Sequence, residues 1–191
     1  MKLEIAQDRR DPLEGCRVSS QGRLLFTSER SIRRSLRQET VLRSSAGDEV
    51  LRIDPNFYLT RPAYDVIMEG KRLPFRTESW LRSVYVLSAG ATLYTVFAHR
   101  SLTPRYSVFV AGVQVAAILR KPFSVLESDK FTVLYEEPAA AALLVAIALI
   151  LDRIGGSTNY ALATYHGPAA WLEARRFDES FLGRFPEQSA V

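Results

Sequence analysis

Apolar positions along this chain come in two patterns: short runs broken by turn residues up to Tyr135, and one unbroken run from Ala139 to Leu151. The unbroken run is flanked by Glu136, Glu137 and Pro138 before it, and by Asp152, Arg153, Gly155 and Gly156 after it. Acids suit the positive end of a helix dipole, proline suits the first turn, and a cation followed by glycine suits the last. These signals predict a helix over 138–154. With no polar side chain between its ends, it is apolar on every face and has to be wrapped by other structure. At about 1.5 Å of rise per residue the apolar run is well short of a ~30 Å hydrocarbon core. Its alanines, Ala139 to Ala142, Ala146 and Ala148, favour close packing against a surrounding sheet. The expectation is a buried core helix, not a membrane span.

The earlier runs read as strands. Leu3 and Ile5 alternate with polar neighbours, and Arg23 to Thr27 reads as a short buried strand between Gly22 and Ser28. Glu49 to Ile53 is expected to end at an Asp54-Pro55-Asn56 turn, with Phe57-Tyr58-Leu59 beyond it. Ala63 to Met68 and Leu73 to Phe75 flank a hairpin turn within Glu69 to Arg72. Ser83 to Leu87 turns through Ser88-Ala89-Gly90 into Ala91 to Phe97; Tyr106 to Val110 turns at Ala111-Gly112 into Val113 to Leu119. Lys130 to Tyr135 leads into the helix. An echo supports repeated hairpins: Pro62-x-Tyr64-x-Val66 with Gly70 is matched by Pro104-x-Tyr106-x-Val108 with Gly112, 42 residues later. Open sheets of many strands curl, and closure removes their edges. A closed antiparallel barrel filled by the apolar helix satisfies both patterns, giving a mostly β chain with a central helix. Residues 1–45 give the weakest signal. There Ser28 to Arg37 sets Ile32 and Leu36 among cations, readable as a basic helix or edge strand touching phosphates, or more simply as a solvated face.

The tract Tyr106-x-Val108, Val115-Ala116-x-Ile118-x-Arg120-Lys121, Asp129-x-Phe131-x-Val133-x-Tyr135, then Leu143 to Asp152-Arg153, resembles the tubby C-terminal-like superfamily. The similarity is greatest to its LURP-one-related and YxjI-like branch, with phospholipid scramblases more distant. It covers about residues 50–155, and its specificity lies in the order of strand, basic pair, strand, apolar helix and Asp-Arg. The resemblance implies a twelve-stranded antiparallel barrel around a buried, near-C-terminal helix, acting as a non-catalytic binding module at an anionic lipid surface. The scramblase-like acidic segment falls on Glu127, Asp129, Phe131, Val133 and Tyr135, but Pro138 stands where its last acid belongs. Two acids fall short of the six to eight oxygens calcium prefers. The cysteine cluster and proline-rich segment of scramblases are missing too. The Lys-x-Arg pair with which tubby proteins hold phosphoinositides has no counterpart, since Lys71-Arg72 and Arg120-Lys121 are spaced differently.

Candidate lipid or anion contacts are Arg100, Arg105, Arg120 and Lys121, which stacked hairpins bring toward one rim where charge-assisted hydrogen bonds hold a headgroup. Composition adds little. The chain has 191 residues, enough for one domain over 1–191 with a sizeable core. The formal charge of +4 gives only a weak pull toward anionic surfaces. The lone Cys16 allows no internal disulfide, and Met1 to Asp8 lacks the apolar core of a signal peptide, so a cytoplasmic location is expected. His99 and His166 lie far apart and suit ordinary hydrogen bonds; Cys16 suits a small buried residue; no spacing fits zinc. Gly155-Gly156-Ser157-Thr158 lacks the lysine of a phosphate loop and suits helix termination, and Asp152 suits an ion pair or turn cap there. Tyr160 to Tyr165 suits a further strand or packed connection. Residues 168–185 have helical composition, with Ala174, Phe177, Phe181 and Phe185 three or four apart, suited to packing on the barrel. No catalytic residue, cofactor or metal is expected. An anionic phospholipid is the leading partner, a protein partner the rival, and nucleic acid a lesser alternative that needs the Arg30 to Arg37 cluster to join a broader basic stripe.

Overall fold

Period-two alternation dominates the computed structural model, which describes residues 1–7, 15–32, 38–58, 61–79, 83–99, 104–120, 130–137, 139–156 and 175–185. Twelve strands are found among them: β1 (Lys2–Gln7), β2 (Cys16–Ser20), β3 (Arg23–Ile32), β4 (Gln38–Ser44), β5 (Glu49–Tyr58), β6 (Arg61–Met68), β7 (Lys71–Ser79), β8 (Val84–Ala89), β9 (Thr92–His99), β10 (Arg105–Val110), β11 (Val113–Arg120) and β12 (Lys130–Tyr135). Each pairs antiparallel with the next, and β1 pairs with β12 from Lys2↔Leu134 to Ala6↔Lys130, closing the barrel. The described residues also hold two helices, α1 (Ala141–Gly156) and α2 (Glu179–Gly183). Closure leaves no sheet edge.

The hairpins predicted within Glu69 to Arg72 and at Ala111-Gly112 form as two-residue turns, the one predicted at Ser88 to Gly90 turns instead at Gly90-Ala91 because Ser88 and Ala89 stay paired with Leu93 and Thr92, and a further tight turn forms at Gln21-Gly22. Gln21-Gly22, Glu69-Gly70 and Ala111-Gly112 all have positive φ at both positions, between 49° and 82°. This is the turn whose twist matches that of the flanking strands, and glycine takes its second position in each.

One face of the strands is the core face. Leu3, Ile5, Val18, Leu42, Ile53, Val66, Phe75, Val96, Val108, Ile118 and Val133 lie on it, and they form a single hydrophobic cluster with α1. Within α1 the nine consecutive residues Leu143 to Leu151 are each at most 5% exposed. Nine residues make two and a half helical turns, so the burial covers every face. The predicted core helix is present, but it begins at Ala141 and ends at Gly156, shifted from 138–154. No acid lies in its first turn. Glu136 instead donates its backbone N–H to the Val115 carbonyl and pairs through its side chain with Arg184, while Glu137 sits exposed in a turn. Pro138 lies outside the described residues.

Three other expectations change. Asp54-Pro55-Asn56 is not a turn, because β5 runs straight through it with Asp54↔Asp65, Pro55↔Tyr64 and Asn56↔Ala63. Pairing of β4 with β5 stops at Thr40↔Ile53, so among the described strands Pro55 pairs with β6 alone and a missing N–H is tolerated. Asn56 then donates to the buried Asp65, which Arg72 and Arg76 also pair at 3.6 and 2.8 Å. Second, Arg23 to Thr27 is not a short buried strand but the partly exposed start of the ten-residue β3, with Leu24 39% exposed, and of the two alternatives for Ser28 to Ile32 the strand is the one that forms. Third, of the helix expected over 168–185, the described residues hold only the five of α2. The Asp178 side chain caps it by accepting from the Ser180 N–H, and Arg175 to Asp178 before it is not helical. Residues 168–174 and the expected strand Tyr160 to Tyr165 lie outside the described residues.

This C-terminal segment packs on the other face of the sheet, as its aromatics predict. Phe181 and Phe185 are buried with Ala117 and Leu134, and Phe177 and Leu119 border them. Arg105 pairs with Glu179 at 2.7 Å, and Arg175 lies 3.9 Å from the Phe109 ring centroid. Ile147→Ala, which opens a void in the central cluster, is expected to lower unfolding stability by about 2–5 kcal/mol, and Phe181→Ala by about 3–5 kcal/mol. Urea unfolding midpoints check both; a change below about 1 kcal/mol at Ile147 contradicts a fully packed helix.

Candidate functional site

Antiparallel order sorts the connections by end. Odd-numbered strands finish, and even-numbered strands begin, at the same end of the barrel. The opposite end carries the turns at 21–22, 45–48, 69–70, 90–91 and 111–112, which hold no Lys or Arg and two acids, Asp48 and Glu69. Helix α1 starts after β12 has finished at the tight-turn end, and its last turn meets the ends of β3 and β11 and the start of β4.

Three arginines gather at that last turn. Arg30 of β3 lies 3.9 Å and Arg120 of β11 lies 3.7 Å from the carboxylate of Asp152. Arg153, one residue on, turns to β4, donating to the Gln38 carbonyl at 3.1 Å and to the Thr40 hydroxyl. Burial lowers the pKa of the Arg153 guanidinium, with Arg30 adding to that effect and Tyr64 and Asp152 opposing it. Arginine starts so high that it stays charged at neutral pH. The Asp152 side chain is 12% exposed, and those of Arg30 and Arg120 are 20% and 23% exposed. Arg120 also lies 5.6 Å from the Phe131 ring centroid.

Beside this group, Cys16 donates its backbone N–H to the Ser28 hydroxyl at 2.8 Å, and its Sγ lies 3.1 Å from the same oxygen. A Cβ on the preceding Gly15 would fall 1.1 Å from the Ser28 carbonyl oxygen, so only glycine fits there. Burial pushes the Cys16 thiol up, outweighing the downward pull of the Ser28 hydrogen bond and of Arg30. A protonated, buried thiol is a poor nucleophile.

The four cations expected at one rim are placed as follows. Arg100 and Lys121 lie outside the described residues. Arg105 is paired across from Leu119 in the β10–β11 ladder, on the face against which α2 packs, and it is held by Glu179 and the Phe177 ring. Arg120, one residue past Leu119, points to the core face and to Asp152. Alternation along the strand therefore puts Arg105 and Arg120 on opposite faces. The ion pair expected of Asp152 forms, through Arg30 and Arg120. The sequence offered Arg30 only within the Arg30 to Arg37 cluster and not as a partner of Asp152, although alternation with the buried Ser28 in an extended strand was a usable signal. His99 makes an ordinary hydrogen bond, Nε2 to the Ser107 hydroxyl at 2.6 Å, beneath the Phe177 ring. His166 is outside the described residues. Among the described residues no group of His, Cys, Asp and Glu is arranged to hold a metal ion, and no helix is long and apolar enough to cross a membrane.

Comparison with protein-family models, with curated proteins and with solved structures finds no match to this chain.

Two outcomes follow from this geometry. Thr40→Val removes an acceptor from a buried guanidinium and is expected to cost about 1–3 kcal/mol in urea unfolding. The Cys16 thiol titrates above its ordinary value of 9.0 when folded, so the unfolded chain gives up that proton first as pH rises. Its contribution is intact below pH 9 and is lost as pH climbs past it. Stability between about pH 8 and about pH 10 is therefore expected to fall less steeply in Cys16→Ala than in the parent; parallel curves would contradict it.

Proposed function

We propose that this barrel is a non-catalytic, cytoplasmic binding module that recognises anionic lipid headgroups at a membrane surface. The observation that supports this is the gathering of Arg30 and Arg120 about Asp152, with Arg153 beside it, at the last turn of α1. Each basic residue held near an anionic leaflet is worth about 1 kcal/mol, so a few suffice for reversible attachment. In this reading the protein belongs with the tubby-like barrels its sequence resembles. Helix α1 threads the lumen, which its burial on all faces supports, and its C-terminal turn faces the mouth. A non-catalytic role is supported by the raised thiol of Cys16 and by the enclosure of the His99–Ser107 pair, at 3% and 1% exposure.

A second reading, a protein-interaction barrel, draws support from the opposite end. The exposed large apolar side chains among the described residues are Met1, Leu24, Leu93 and Val113, each at the start of a strand on the tight-turn side. Scattered apolar residues are ordinary on a surface, which makes this the weaker reading.

Co-sedimentation with vesicles separates the two. Binding is expected with anionic lipid and not with neutral lipid, weakening roughly tenfold or more as salt rises from about 50 mM to about 300 mM. Replacing Arg33, Arg34 and Arg37 by Gln is expected to cost roughly a hundredfold in affinity, at about 1 kcal/mol each. No binding to anionic vesicles at low salt would sink the membrane reading.

A further inference from the structure

We infer that residues 175–185 form a strap which an anionic membrane draws off the outer face of the barrel, so that its phenylalanines enter the lipid interface. The inference rests on the membrane reading above and names the part of the chain that inserts. Phe181 and Phe185 are buried with Ala117 and Leu134, in a cluster separate from the one around α1. Lifting the strap therefore leaves the central core in place. Helix α2 is five residues long, too short to be a stable helix by itself, so the segment takes its shape from the surface it lies on.

Charge decides which surface that is. Arg105 holds Glu179 at 2.7 Å, and Glu136 holds Arg184 at 3.2 Å. The strap's own side chains in these pairs are 68% and 52% exposed, and ion pairs so placed add little stability and weaken with salt. Arg105 starts β10 and is paired with Leu119, the residue before Arg120, so this fastening stands at the end of the barrel where Arg30 and Arg120 meet Asp152. An anionic leaflet approaching that end attracts Arg105 and repels Glu179, which pulls the pair apart. The strap's sequence suits the place it moves to. Phe177, Phe181 and Phe185 recur every fourth residue, on one side of a helix, and Arg175, Arg176 and Arg184 flank them along the chain. Aromatic residues on one side with arginines beside them make a segment that lies in the headgroup boundary. There the rings exchange one apolar surrounding for another, and the arginines exchange carboxylates for lipid phosphates.

The test uses the full chain. Gly183 is exposed, with open space where a Cβ stands, so Gly183→Cys in a Cys16→Ala background carries an environment-sensitive fluorophore on the strap. On vesicles of phosphatidylglycerol mixed with phosphatidylcholine, its emission is expected to shift to the blue and to rise roughly twofold or more, with no change on phosphatidylcholine alone. In the same background Arg105→Cys with Glu179→Cys, bridged by a reducible bismaleimide, locks the strap to β10. The bridge is expected to weaken co-sedimentation with the anionic vesicles by roughly fivefold or more, and reduction to restore it. Phe177→Ala, made in the parent chain, changes no charge and is expected to weaken vesicle binding by roughly fivefold or more; it carries the test if the Cys16→Ala background fails to fold. Vesicle binding with the fluorophore unmoved, with bridged and reduced chains alike, or with Phe177→Ala equal to the parent, overturns the strap and leaves the membrane reading standing. No binding of the parent to anionic vesicles at low salt sinks both.

Discussion

A helix that is apolar on every face governs this structure. Leu143 to Leu151 offer no polar side chain to water, and all nine residues are buried. An amphipathic helix needs one packing partner, whereas this one needs cover all round. Its buried residues share one hydrophobic cluster with core-face residues of the strands. At roughly 25 cal/mol per Å² of apolar surface, the burial of such a helix is a large favourable term. Twelve antiparallel strands closed on themselves provide a continuous apolar face with no edge left to pair elsewhere.

The same constraint explains the chemistry at the helix end. An apolar helix must stop where water begins, and here its first charged residues, Asp152 and Arg153, meet the ends of β3 and β11 and the start of β4. Buried charges are tolerable only when paired or hydrogen-bonded. Asp152 meets that demand through Arg30 and Arg120, and Arg153 meets it through Gln38 and Thr40. The concentration of guanidinium groups at this end thus has a structural origin, and the headgroup recognition proposed there builds on it.

The outer face tells a related story. Ala117, Leu119 and Leu134 alternate with core residues on β11 and β12, and uncovered they would leave an apolar stripe in water. Phe177, Phe181 and Phe185 close it, and Arg105, which the sequence offered as a candidate contact for lipid, holds Glu179 in that cover. The remaining exposed ion pairs, such as Arg184 with Glu136, add little stability in water.

Elements governed by local pattern were legible in the residues themselves. Period-two runs and glycine-containing turns marked most of the strands after Thr40, and the unbroken apolar run marked α1 to within three residues at its start and two at its end. Where a neighbour decided the outcome, the pattern misled. Pro55 reads locally as a turn, yet it sits inside β5 because β4 has stopped pairing there. Glu136 and Glu137 read as the start of a helix, yet Glu136 is held by β11 and Arg184. The site shows the same division. Alternation is a property of the sequence and fixes which face each arginine takes once its strand is placed. Which strands lie side by side is a long-range property, set by closure of β1 on β12 and by the path of α1. The chain by itself therefore determined the elements, the all-round burial of one helix and the abundance of cations near certain strand ends. Only the tertiary structure brought Arg30, Arg120 and Asp152 together across more than a hundred residues, because barrel closure and helix burial, not spacing along the chain, set their distance.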